Sequence, residues 1–217
     1  LAVGRNEEAI GHARRATEID PMQQIGWATL AWAHHFAGRN DEAAMVIEEG
    51  LSRWPQSSRV WFFGSEVLAA SNRFAESAAY LRDSSRRPRL APQALVESVA
   101  RTYDALATRS GIAAYGETAD HPASSLIENI DSAAPMLVRF GLTAEAFVLL
   151  DAYFFGGSVN GQRVAPPGPL DPRPTCPLFS PAVLALKDDP RHSSLLARTG
   201  LEDYWRKSGT QPDFRRR

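Results

Sequence analysis

The sequence predicts an all-α fold in which helix pairs stack side by side as a solenoid, because one short phrase recurs at a fixed interval. Gly4–Ala9 (GRNEEA) returns as Gly38–Ala43 (GRNDEA), 34 residues further along the chain, and a weaker copy begins at Asn72. Two further pairs of landmarks share the same step: Trp27 with Trp61, and Pro21 with Pro55. A period of about 34 residues is typical of helix–turn–helix repeats, which bury their apolar faces only by stacking on their neighbours.

Each predicted unit consists of a helix, a turn and a second helix that ends before a proline. Gly4 and Gly38 suit helix C-terminal caps, because the left-handed backbone of such a cap carries no Cβ penalty for glycine. Asp20-Pro21 and Trp54-Pro55 end the second helix of each pair, since proline lacks the N–H and disfavours helix in the residue before it.

The second unit, from about Gln24 to Ser57, resembles a tetratricopeptide repeat. It has the family's bulky and small positions in order: Trp27, Leu30, Ala31 for Gly, His34 for Tyr, Gly38, Ala43, Ile47 for Phe, Gly50 and Pro55. The third unit begins at about Ser58 and keeps Trp61, Leu68 and Leu81, but has Ser77 and Arg89 where Ala and Pro are usual. The resemblance implies a right-handed superhelical solenoid with a concave binding face.

The repeats are expected to cover residues 1–155, regularly over 1–90 and in degenerate form over 91–155. The first unit holds only its second helix, Glu7 to Ile19, so we expect that its opening helix lies before residue 1 in a longer protein. Beyond the regular part, Gln93 to Ser110 is a predicted helix and Ala123 to Phe140 contains another. Gly141 to Ala146 then has the same spacing as Gly38 to Ala43, which predicts about five helix pairs in all.

After the repeats the composition changes to glycine and proline. Residues 156–179 are predicted to form a non-helical connection with polyproline character, and residues 180–217 to form helices that pack on the array within one structural domain. Ser180-Pro181 and Asp189-Pro190 are start signals for two helices, and Gly200 and Gly209 are the matching stops.

The C-terminal stretch resembles the end of bacterial tetratricopeptide regions that are attached to a winged-helix DNA-binding domain or to a nucleotide cyclase domain. The residues that carry this resemblance are Asp189-Pro190-Arg191, Leu195-Leu196, Gly200-Leu201, Tyr204-Trp205-Arg206, Gly209-Thr210 and Pro212-Asp213-Phe214. The typical sequence has Phe where this chain has His192. The resemblance implies the regulatory or scaffolding part of a larger bacterial regulator.

Composition argues against several classes of partner. The chain of 217 residues has a formal net charge of −1, so we expect no direct nucleic-acid binding through this region. The most apolar stretch, Ala144 to Phe155, is broken by acidic residues and is too short to span a bilayer. Cys176 is the sole cysteine, which fits a reducing compartment, and we expect a cytoplasmic protein with no membrane partner.

A candidate binding groove is implied by the family's geometry, in which the first helix of each pair lines the concave face. The inward positions are Ile25, Ala28, Trp32, His35, Phe36, Arg59, Phe62, Phe63, Glu66, Gln93, Glu97 and Tyr103. Val96 is a further inward position on the predicted helix that begins at Gln93. The expected ligand is a protein or peptide. A clamp for a peptide's terminal carboxylate is disfavoured, because only Arg59 could serve in it. Alternatively, some of these aromatic residues are simply buried between helices.

Catalysis finds little support in the sequence, and we predict no cofactor and no metal site. The five histidines lack the spacing of a zinc protease, and Cys176 would need a converging base to act as a nucleophile. The favoured function is therefore a noncatalytic protein-interaction or scaffolding module. Two alternatives stay open: a small-molecule sensor or enzyme with a pocket between the repeats and the Pro-rich segment, and a homo-oligomerisation unit such as a homodimer.

Overall fold

The computed structural model describes residues 1–108, 123–171 and 173–216. These residues are mostly α-helical, and they form two compact units that are each described separately. Of the described residues, 6–108 belong to the N-terminal unit, and 1–5 together with 123–171 and 173–216 belong to the C-terminal unit. The expectation of one structural domain over the whole chain stays a prediction.

Six helices make up the N-terminal unit, and each packs on the next in sequence. They are α1 (Asn6–Ile19), α2 (Gln24–Phe36), α3 (Asn40–Arg53), α4 (Ser58–Ala70), α5 (Phe74–Arg82) and α6 (Gln93–Thr108). The starts of α1, α3 and α5 are 34 residues apart, as are the starts of α2 and α4. Sequential helix-pair packing with the predicted period is therefore confirmed. The predicted end of α6 at Ser110 lies outside the described residues.

The caps between paired helices repeat in detail. Gly38 has a φ of +76°, its N–H donates to a carbonyl three residues back, and the N–H of Arg39 donates to the His34 carbonyl at 2.9 Å. Asn72, at φ +58°, and Gly141, at φ +77°, make the same two hydrogen bonds. This pair of bonds is the Schellman motif, which satisfies the last carbonyls of a helix. Asn72 takes the place of glycine because Asn tolerates the left-handed region best among other residues.

Large aromatic side chains fill the core of the N-terminal unit. Trp61 is fully buried, and its ring stacks on Tyr80 with the centroids 5.9 Å apart. Trp27 is buried too, and its Nε1 donates to the Pro21 carbonyl at 3.1 Å. Ala43, entirely buried, is the small residue that allows close helix approach. The two repeated tryptophans are therefore packing residues, as the period predicts.

From residue 123 onward, the described part of the C-terminal unit starts with three helices, α7 (Ala123–Glu128), α8 (Ile130–Arg139) and α9 (Thr143–Phe155). The predicted helix between Ala123 and Phe140 is confirmed, but it is broken at Asn129, and Pro135 lies inside α8. Helices α8 and α9 pack as a pair around the Gly141 cap, in the same order as the pairs of the N-terminal unit.

A β-hairpin follows α9, and this corrects the all-α prediction. Strands β1 (Gly157–Val159) and β2 (Gln162–Val164) pair antiparallel, with Val159 opposite Gln162. The two residues between them, Asn160 and Gly161, have φ values of +50° and +72°. Asn-Gly with both residues in the left-handed region is the preferred two-residue hairpin turn. The connection over 156–179 therefore begins as a hairpin, and the proline-rich, irregular part comes after it.

Three short helices stand where the sequence predicted two. A 3₁₀ turn (Cys176–Phe179) precedes α10 (Pro181–Leu184), α11 (Pro190–Arg198) and α12 (Leu201–Ser208), and a second 3₁₀ turn covers Asp213–Arg215. The start signal at Asp189 is confirmed, since its carboxylate accepts from the Arg191 N–H at 2.9 Å. Gly200, at φ +80°, ends α11 and immediately precedes α12. One stop signal therefore separates two helices.

The apolar residues of this last segment form part of the core of the C-terminal unit. The first 3₁₀ turn and α10 pack on α8, and α11 packs on α9. Leu178, Phe179 and Trp205 are buried, whereas Tyr204 is 42% exposed. The segment also holds the chain's N-terminus, since Trp205 Nε1 donates to the Val3 carbonyl at 3.0 Å.

Candidate functional site

An aromatic surface on α2 and α4 is the first candidate site. The Trp32 ring lies 4.8 Å from the Phe63 ring and 5.2 Å from the Phe36 ring, and the Phe62 ring lies 5.0 Å from Trp61. Trp32, Phe62 and Phe63 are each partly exposed, and we call these three residues the aromatic face. The aromatic face is shared by α2 and α4, which are the first helices of two successive pairs and contact each other directly.

Polar and charged candidates lie on the same helices as the aromatic face or on α6. Arg59 and Gln93 are exposed, and Glu66 and Glu97 are partly exposed. Glu97 already accepts two hydrogen bonds from Arg82, at 3.0 and 2.8 Å. These bonds hold the pKa of the Glu97 carboxyl below its usual range. Ile25 adds an apolar side chain that is 46% exposed.

Four candidates lie in the core of the N-terminal unit, together with Val96. They are Ala28, His35, Phe36 and Tyr103, and each is less than a tenth exposed. His35 Nδ1 lies 3.1 Å from Asn40 Oδ1, which ties α2 to the start of α3. Phe36 packs under the Trp32 ring. Phe36 therefore supports the aromatic face from within, in line with the alternative that some of the aromatic residues are buried.

A cavity in the C-terminal unit is the second candidate site, and none of its lining residues is among the binding residues predicted from the sequence. It has a volume of about 390 Å³ and lies between α9, α11 and the start of the hairpin. Its apolar wall includes Phe147, Val148 and Leu195, and its polar groups include Arg191 and Arg198. The spacing of seven residues between these arginines puts both on one face of α11, which is the signal that could have identified the site.

Both arginines of the cavity are held in place. The Arg198 guanidinium lies 3.9 Å from the Phe155 ring centroid and donates to the Asp151 carboxylate. The Arg191 guanidinium lies 4.4 Å from the Phe147 ring centroid. It donates to Asp189 from Nε at 3.0 Å and from Nη2 at 2.8 Å, which lowers the pKa of Asp189 to about 2.

Buried titratable groups occur elsewhere in the C-terminal unit. Burial raises the pKa of Asp131 to about 6, and its Oδ1 atom has no hydrogen-bond partner among the described residues. Burial also raises the pKa of the Cys176 thiol, with a further contribution from the Asp131 charge. A raised pKa leaves less of the nucleophilic thiolate at neutral pH, so Cys176 is in a deactivating environment.

Neither a metal centre nor a membrane span is found in the part of the chain that the structure describes. Within that part, no group of three or more His, Cys, Asp or Glu side chains is placed to hold a metal ion. None of the helices in the described ranges combines the length and the apolar character that crossing a bilayer requires.

Comparison with known proteins adds no family to these observations. No protein-family model matches the chain, and neither curated proteins nor solved structures give a significant match. A function is therefore to be inferred from the geometry of the two candidate sites.

Proposed function

We propose that the chain is a noncatalytic protein-interaction module whose N-terminal unit is a tetratricopeptide-like solenoid. Three features support the solenoid: the step of 34 residues between equivalent helix starts, the recurring Schellman caps, and the buried tryptophans at equivalent positions. In such an array the first helices of the pairs line the concave side. The aromatic face then lies on that side.

The observation that carries the proposed function is the partly exposed aromatic face itself. Aromatic residues are enriched among the anchors of protein interfaces, because they bury a large area with few rotatable bonds. The close ring contacts of Trp32 with Phe36 and Phe63 hold this surface in one conformation, which reduces the entropic cost of binding. The partner is a peptide segment that offers apolar side chains, and Arg59 is the exposed cation of the candidate set.

Selection from a random peptide display library, followed by calorimetry on the enriched peptides, tests this proposal. Phe62→Ala should weaken binding by at least about tenfold, the scale of an interface anchor. Met45→Ala is the matched control, since Met45 is 72% exposed on α3 and outside the aromatic face. Circular dichroism establishes that both variants are folded. Failure to enrich any peptide, or an equal effect of the two substitutions, would contradict the proposal.

We further propose that the module acts in the cytoplasm as the regulatory part of a larger bacterial regulator, on the basis of the C-terminal resemblance. The chain departs from the typical pattern at His192, which is buried and whose Nε2 lies 3.2 Å from the Leu178 carbonyl oxygen. A reading frame that continues upstream into a DNA-binding or nucleotide cyclase domain would support this context. An upstream domain of unrelated type would refute it.

A further inference from the structure

We propose that the cavity between α9, α11 and the hairpin binds a small organic carboxylate with an apolar body. The proposal is independent of the aromatic face, because every residue that lines the cavity belongs to the C-terminal unit. It assigns a ligand class to a site that lies partly on the glycine-rich start of the connection, at Gly156, Gly157 and Ser158.

The size and walls of the cavity suit the apolar body of such a ligand. Small-molecule sites are mostly apolar clefts of about 300–1,000 Å³ with few polar groups, and this one measures about 390 Å³. Val148 on α9 belongs to the lining and is 51% exposed. Phe147 and Leu195, which also line the cavity, are buried and form its inner apolar wall. A ligand would remove the Val148 side chain from water.

The lining combines two cations with one carboxylate. Arg191 and Arg198 line the cavity with Asp151, so the lining residues have a net charge of +1. Asp189 is not part of the lining, but it is ion-paired with Arg191 and offsets this charge. A monocarboxylate adds one negative charge beside the two guanidinium groups. A phosphate dianion would add two against an apolar wall, which is more costly.

Hydrogen-bond donors for the carboxylate are present on both arginines. Among the described residues, Arg198 uses Nη1 for Asp151, and Arg191 uses Nε and Nη2 for Asp189. Nε and Nη2 of Arg198 and Nη1 of Arg191 accordingly have no hydrogen bond within that part of the chain. The phenyl rings beneath the two guanidinium groups restrict their motion. The donors are therefore preorganised, and a guanidinium matches a carboxylate geometrically.

Isothermal titration calorimetry on the whole chain tests the site with phenylacetate, indole-3-acetate and octanoate, each compared with its primary amide. The amide keeps the apolar body and lacks the charge. At least one acid should bind saturably, about tenfold or more tightly than its amide, because a charged hydrogen bond is lost. If no acid binds, or if the amide binds as tightly as the acid, the proposal is wrong.

Variants separate the charged donors from the fold. Arg198→Gln should weaken the best acid about tenfold, and Asp151→Asn should tighten it because the lining gains positive charge. Ser194→Trp places a bulky side chain at an exposed position of the lining and should abolish binding. Arg206→Gln is the matched control on α12, outside the cavity, and should leave affinity unchanged.

The opposite signs expected at Arg198 and Asp151 keep the test decisive even if one variant is unstable. Equal weakening by Arg198→Gln and Arg206→Gln would overturn the assignment, as would unchanged affinity in Ser194→Trp. Peptides selected on the aromatic face should bind the Ser194→Trp protein normally, so that failure of one site is not mistaken for failure of the other.

Discussion

Asp131→Asn should stabilise the C-terminal unit at neutral pH and leave it unchanged in acid. Asp131 is a largely buried carboxyl in the first turn of α8, and no group in the described part of the chain hydrogen-bonds to its Oδ1 atom. Burial disfavours the charged form and raises the pKa from its ordinary value of 3.8 to about 6. The side-chain amide of Asn has nearly the same shape and no charge to desolvate.

The expected magnitude follows from the change in pKa between the unfolded and folded states. Each pKa unit is worth about 1.36 kcal/mol, so the rise from 3.8 to about 6 corresponds to about 3 kcal/mol. Because the residue keeps some exposure, solvent screening reduces this to about 2–3 kcal/mol. The folded-state pKa is the higher one, so wild-type stability is fully present below about pH 4 and is lost as the pH rises through about 6. The gain from Asp131→Asn appears over that same window.

Hydrogen exchange measured by mass spectrometry on peptides from α8 gives the local free energy of opening, which is preferable where two compact units need not unfold together. Measurements at about pH 4 and about pH 7.5, corrected for intrinsic exchange, should differ by the full gain. Asp188→Asn is the control, since the Asp188 side chain is 90% exposed. An equal gain at both pH values, or a gain no larger than that of the control, would refute the argument.

Three further predictions concern packing and pH. Trp61→Ala should lower the free energy of unfolding in urea by about 3–5 kcal/mol, because a fully buried tryptophan leaves a cavity; a loss below about 1 kcal/mol would contradict the repeat packing. Gly11→Ala should raise the melting temperature, since its Cβ meets nothing outside its own helix and alanine favours helix by about 0.5–1 kcal/mol. Gly64→Ala should lower the melting temperature, since its Cβ would lie 2.6 Å from the Tyr80 hydroxyl. A change of the melting temperature in the same direction for both variants would refute this contrast. Burial lowers the pKa of His192 from 6.5, so the stability that the neutral side chain provides is lost as the pH falls below that value. The melting temperature of His192→Phe should therefore rise relative to that of the wild type below about pH 6.5. A difference in melting temperature that does not change with pH would exclude titration of His192 as the cause.

Local signals in the sequence predicted helix starts and stops well. The Schellman cap at Gly38 needs only hydrogen bonds within six residues, so the recurring phrase predicts it wherever it returns, including the Asn72 copy. The hairpin was predictable by the same logic, since Asn160-Gly161 is a local turn signal between short strands. The prolines that follow from Pro166 onward dominate the composition of this segment and obscure that signal.

The lengths of the helices in the last segment are harder to predict from the sequence. The start signal at Pro181 produces only one turn of helix. Val183 is buried in α10, which packs on α8, and the chain then turns before Asp189. A local start signal indicates where a helix begins. It does not say how far tertiary contacts let the helix run.

By itself, the sequence determined the mostly helical class, the period of 34 residues and the glycine caps, since each depends on backbone preferences over a few neighbouring residues. Only the tertiary structure decided which inward positions are surface and which are core: Trp32 and Phe63 are partly exposed, whereas Phe36 is buried. The same holds for the cavity, whose ion pair joins Asp151 to Arg198 across 47 residues. Such a contact has no local signature, because it depends on how α9 and α11 pack.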